Sequence, residues 1–102
     1  MNKEFKQPWI DALRSGEYQQ GLQCLKDSEG NYCCLGVLQE INGRMTDRQS
    51  KIDGKYYSVT KCNYFLDTRD LDHYEMSADA CNFLTAMNRF LVCIKIRSTH
   101  IS

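Results

Sequence analysis

Gly36 interrupts the most apolar helical stretch of the chain, Cys34-Leu35-Gly36-Val37-Leu38. A glycine inside a helix costs about 1 kcal/mol relative to alanine. Its presence there predicts close approach of another backbone, from the first helix or from a strand. The stretch opens on an adjacent cysteine pair, Cys33-Cys34. Cysteine is a reactive thiolate, a metal ligand or a small buried hydrophobe. Between Tyr32 and Leu35 the third reading is the natural one, because cysteine is among the residues most often buried.

The rest of the chain is arranged around this segment. Pro8 suits the first turn of a helix, where a missing N–H is no loss. Trp9, Ala12 and Leu13 then share one face, and Ser15-Gly16 is a stop signal. Tyr18 to Gly21 is a polar connection. Leu22–Leu25 and Asn31–Cys34 flank Lys26-Asp27-Ser28-Glu29-Gly30, which has the composition of a turn. The expected unit is a short hairpin whose second strand runs into a helix from Cys34 to Ile41, ended by Asn42-Gly43. Arg44 to Ser50 reads as loop. Asp53-Gly54 between Ile52 and Tyr56 marks a two-residue hairpin turn. Tyr56, Tyr57, Val59 and Thr60 are strand formers, and Tyr64-Phe65-Leu66 extends the sheet. Asp67 or Thr68 caps a short helical turn through Leu71 and Tyr74. Ser77 caps a helix from Ala78 to Asn88 with Ala80, Phe83, Leu84 and Met87 on its apolar face. Phe90 to Ile96 reads as a buried or oligomer-edge strand, and residues 97–102 as a frayed tail. The fold class expected for residues 1–102 is a single α+β domain, about three helices packed on a small, mostly antiparallel sheet.

Thirteen basic and thirteen acidic residues cancel. Bulk charge therefore gives no footing for duplex DNA, RNA or an acidic membrane. The charged start, Met1-Asn2-Lys3-Glu4-Phe5-Lys6, is unlike a secretory signal. Phe90 to Ile94, the longest apolar run, is too short to span a bilayer. A cytoplasmic location with reduced thiols is expected, which sets aside a disulfide framework for the six cysteines.

Two blocks carry a family likeness. Trp9-Ile10-Asp11-Ala12-Leu13-Arg14-Ser15-Gly16-Glu17-Tyr18-Gln19-Gln20-Gly21, followed by Tyr32-Cys33-Cys34-Leu35-Gly36-Val37-Leu38, resembles a group of small phage and prophage proteins. Their shared pattern is W-x-x-A-L-R-S-G-x-Y-x-Q-G followed by Y-C-C-L-G-V-L. The match covers roughly residues 8 to 43, with a weaker echo from Ser77 to Asn88. The resemblance implies a phage origin and action in the host bacterial cytoplasm. It implies no chemistry. Relatives continue past the Met-Asn pair with an acidic amphipathic helix, whereas this chain runs Arg89-Phe90-Leu91-Val92-Cys93-Ile94-Lys95-Ile96.

Four kinds of chemistry were weighed. Cys33 at a helix start, with His73 as base, is the candidate nucleophile, but no cysteine-protease motif surrounds it. Zinc wants paired ligands at C-x₂-C or H-x₃-H spacing, and the cysteines here are adjacent or isolated. Asp67, Asp70, Asp72 and Glu75 cluster around Arg69 and His73 and could hold magnesium, yet no phosphate-cradling loop accompanies them. Arg14, Tyr18, Gln19, Gln20, Tyr56 and Tyr57 supply guanidinium, phenol and amide groups suited to a nucleotide's phosphate and base edges.

The last group is the binding site expected from sequence, with no catalytic residue, no metal and no cofactor. The function expected is a phage accessory protein that binds and neutralises a host component without catalysis. Its partner would be a host defence protein or a small nucleotide ligand. A small metal-dependent nucleotide or phosphoester hydrolase and a nucleic-acid-binding module are the alternatives. A homodimer through Phe90–Ile96 is a further expectation.

Overall fold

The computed structural model describes residues 2–21, 24–46, 48–59 and 66–89. Its first helix, α1, spans Lys3–Ser15 and so begins five residues before Pro8. Asn2 is the N-cap, its side chain accepting from the Glu4 backbone N–H at 2.9 Å. Pro8 thus lies inside the helix and denies the Glu4 carbonyl its usual donor. Both residues are exposed, so solvent can serve that carbonyl instead. Trp9 and Leu13 form the buried face, and Gly16 closes the helix in the left-handed conformation at φ 79°.

Helix α2 spans Cys34–Ile41, with the bounds expected from sequence. Residues Cys34 to Gln39 are all buried. The backbone approach implied by Gly36 comes from a strand segment: a Cβ at this position would overlap the Leu25 carbonyl. Helices α1 and α2 are joined at one further point, where the Trp9 indole N–H donates to the Cys34 carbonyl at 2.9 Å. The two blocks of the sequence signature therefore meet in space.

The strands are short. β1 (Gln19–Gln20) pairs in parallel with β2 (Asn31–Tyr32), and β3 (Gln49–Ile52) pairs antiparallel with β4 (Lys55–Ser58). Lys26 joins the two pairs through antiparallel bridges to Tyr32 and Tyr56. The polar connection expected at Tyr18–Gly21 is thus partly a strand, and Gln49 and Ser50 belong to β3, outside the expected loop. The turn at 27–30 is organised by Asp27, whose carboxylate accepts from the backbone N–H of Glu29 and from both the backbone and side-chain N–H of Asn31. Asp53 and Gly54 both have positive φ, as the two-residue hairpin turn requires.

Helix α3 (Thr68–Tyr74) is capped by Asp67, and α4 (Ala78–Arg89) starts at Ser77, whose Oγ accepts from the Ala80 N–H at 3.1 Å. In α4 the face turned to the core carries Cys81, while Ala80 is exposed and Phe83 is 64% exposed. The apolar face expected from Ala80 and Phe83 is corrected accordingly. Phe83 follows Cys81 by two residues, about 200° around a helix, and so points away. Leu22, the Tyr64-Phe65 extension and the Phe90–Ile96 strand lie outside the described residues.

The architecture is α+β, with four helices and two small paired-strand units among the described residues. Trp9, Leu13, Leu25, Cys33, Leu35, Val37, Leu38 and Tyr74 are among the residues of one apolar core. No helix of the described residues is long and apolar enough to cross a membrane.

Candidate functional site

The strand register places five residues of distant sequence in one row. Gln20 stands opposite Tyr32, Tyr32 opposite Lys26, Lys26 opposite Tyr56, and Tyr56 opposite Lys51. Directly paired residues project to the same face of a sheet. The row therefore alternates amide, ring, ammonium, ring, ammonium. Tyr18, two residues before Gln20, adds a third ring, edge-on to Tyr32 with centroids 5.2 Å apart.

Within the row the lysines lie against rings. Lys26 Nζ is 5.3 Å from the Tyr32 centroid and 6.0 Å from that of Tyr56, so it bridges the two. Lys51 Nζ lies 5.4 Å from the Tyr56 centroid. Such contacts are attractive through the ring quadrupole. Hydrogen bonding to the Tyr32 phenol raises the Lys26 ammonium above the ordinary lysine value, against the desolvation that lowers it. Tyr18 is raised above the ordinary tyrosine value, first by desolvation and then by Tyr32, Glu17 and Glu40. Both groups keep their protons and remain donors. Among the described residues the ion pair within contact distance is Arg44–Asp70, and Glu40 acts on Lys26 from farther away.

Three of the six residues expected from sequence enter this row: Tyr18, Gln20 and Tyr56. Gln19 pairs with Asn31 and Tyr57 with Ser50. Each is one position out of step, so its side chain leaves the opposite face of the sheet. Arg14 is exposed in the last turn of α1 and stands outside the register. The residues missed are Lys26, Tyr32 and Lys51. Lys51 was within reach, since a two-residue turn at Asp53-Gly54 sets Ile52 opposite Lys55 and Lys51 opposite Tyr56. Lys26 and Tyr32 depend on non-local pairing and carry no such local signal.

The acidic cluster expected at 67–75 divides in two. Asp72 and Glu75, with Arg69 and His73, are exposed, whereas Asp67 and Asp70 are buried. Arg44 donates from Nε and Nη2 to Asp70 Oδ1, at 3.0 and 2.8 Å. Tyr74 Oη hydrogen-bonds the Gln39 side chain beside them. No group of three or more His, Cys, Asp or Glu among the described residues could hold a metal ion.

Cys33 is placed where a helix dipole would favour a thiolate, and its sulfur accepts from the Gly36 N–H at 3.4 Å as the N-cap of α2. Complete burial prevails over that bond and pushes the thiol up to about 12. The sulfur is a packing and capping group, not a nucleophile. Cys24, Cys33 and Cys81 form no disulfide, whereas Cys34 is disulfide-bonded. The expectation that all six cysteines stay reduced is corrected on this point. His73 is exposed, its ring packing against Phe5 and Tyr74 at 4.8 and 5.0 Å, whereas Cys33 is fully buried.

A family described as a domain of unknown function (DUF8296) matches residues 1–97, and the chain belongs to it. No curated protein and no solved structure matches the chain.

Proposed function

We propose that this chain is a phage accessory protein that binds and neutralises a component of its bacterial host, acting in the host cytoplasm without catalysis. The observation that supports the reading is the row Gln20–Tyr32–Lys26–Tyr56–Lys51 with Tyr18 beside it. Two ammonium groups, neither in a contact-distance ion pair among the described residues, suit phosphate oxygens. Phenol and amide groups beside them suit the edges of a base, and a tyrosine ring offers a stacking surface. A nucleotide signal is therefore favoured over a defence protein as the component bound. The resemblance of Trp9–Gly21 and Tyr32–Leu38 to phage proteins supplies the setting. The burial of Cys33 argues against the cysteine nucleophile.

Equilibrium dialysis against ribonucleoside mono-, di- and triphosphates and dinucleotides tests the reading. At least one nucleotide is expected to be retained unaltered, and to be lost from the Lys26→Ala/Lys51→Ala double variant. Conversion of the nucleotide would select the hydrolase alternative. Capture of a host protein by both wild type and double variant, with no nucleotide retained, would overturn the assignment of this surface.

A further inference from the structure

Asp67 and Asp70 open helix α3 one turn apart, so their side chains share a face. Asp67 Oδ1 accepts from the Asp70 backbone N–H at 2.9 Å, and Asp70 Oδ1 takes both Arg44 donors. The second oxygen of each carboxyl, Asp67 Oδ2 and Asp70 Oδ2, is buried and meets no donor. Asp70 is fully buried and Asp67 is 5% exposed. The charge inventory is thus two buried carboxylates against one guanidinium, itself partly exposed. An uncompensated buried carboxylate is costly, and a protein meets that cost by retaining a proton.

We propose that Asp67 and Asp70 share a single proton, held between their two Oδ2 atoms, and that this proton is a condition for docking α3. One protonated oxygen supplies the donor that the other lacks, which satisfies both orphaned atoms at once and leaves one negative charge for Arg44. The groups facing the pair agree with this. From α2 comes neutral Gln39, and from the loop after it Arg44. From α3 comes Tyr74, whose phenol burial pushes up so that it stays neutral. At the start of α1, the Asn2 N–H donates to the Tyr74 carbonyl at 3.1 Å and Phe5 packs on the Tyr74 ring, neither bringing charge. Asp70 is accordingly raised above the ordinary aspartate value, by desolvation first, with Asp67 adding and Arg44 opposing.

The consequence has a definite sign. The folded pair keeps its proton to a higher pH than unfolded aspartates do. Stability from this source is complete below the unfolded value and is lost as pH rises through the folded one. The segment 67–76, held by these groups, is the part of the fold coupled to proton activity.

The test is proton release on urea unfolding, followed at successive pH values. Wild type is expected to release one proton per molecule in the window above the ordinary aspartate range. Asp67→Asn keeps the cap and supplies an amide N–H where the shared proton stood. It is expected to fold, to release no proton in that window, and to lose the pH dependence of stability there. Equal release from both proteins would overturn the proposal. Should the variant not fold, carboxyl-carbon NMR of isotope-labelled wild type decides. The Asp70 carboxyl carbon is expected to show its step above the ordinary range. A step inside that range would overturn the proposal.

Discussion

Leu25 and Cys33 are fully buried in the core, whereas Lys26, the chain neighbour of Leu25, lies half-buried in the row, whose rings Tyr32, Tyr18 and Tyr56 pack on the core from that side. The two sides are built by opposite rules. On the inner side Gly36 is packed so closely on the Leu25 backbone that a methyl group has no room. On the outer side Lys26 and Lys51 rest on tyrosine rings, contacts that tolerate change. The cysteine pair, which looks chemical, is on the side that performs no surface chemistry. The lysines, which look like turn and strand filler, lie in the row, Lys51 exposed and Lys26 half-buried. Reactive residue type is thus a poor guide to function until the register is known.

The largest effect that can separate the two sides is expected from Gly36→Ala. The added Cβ must displace the Leu25 carbonyl, at a cost of about 3 kcal/mol or more, or prevent folding. A loss below about 1 kcal/mol in urea denaturation, the ordinary range for tolerated core changes, would show that the backbones are not in this close contact. Arg44→Ala comes next. It leaves Asp70 buried without its counter-charge, with an expected cost of about 3 kcal/mol. The loss should grow as pH rises, because the pair then has no cation to face its remaining charge. A variant as stable as wild type above neutral pH would contradict the ion pair.

Trp9→Phe keeps most of the ring but removes the donor to the Cys34 carbonyl. A loss of about 1–2 kcal/mol is expected, since a buried acceptor is left short of a partner. An unchanged midpoint would detach the two halves of the signature. The smallest change is one of reactivity. Folded protein should leave Cys33 unmodified by a thiol reagent, and non-reduced unfolded protein should show fewer than six reactive thiols because Cys34 is bonded. Rapid labelling of Cys33 in the fold would break the contrast between the two sides.

Much of the fold is legible in the sequence, and what is not shares a cause. Helix α2, the turn at Asp53-Gly54 and the caps at Asp67 and Ser77 follow from local chemistry, and they stand where the residues place them. The start of α1 was misplaced because Pro8 is a strong first-turn marker, while Asn2 gives a weaker signal that the structure nonetheless uses. Phe83 was assigned inward by periodicity alone, but the helix turned Cys81 to the core. The row itself is non-local: Gln20, Tyr32, Lys26 and Tyr56 come together through three separate pairings, one of them parallel. Asp67 and Asp70 were visible as acids, whereas their burial depends on Arg44, 26 residues upstream of Asp70.

Nucleotide retention by wild type and by Lys26→Ala/Lys51→Ala is the most direct measurement of what the row is for. The double variant should fold with a stability change of about 1–2 kcal/mol, since Lys51 is exposed and Lys26 half-buried against its rings. The account predicts that a nucleotide is held by the wild type and released by this folded variant. Equal retention by both proteins would contradict it.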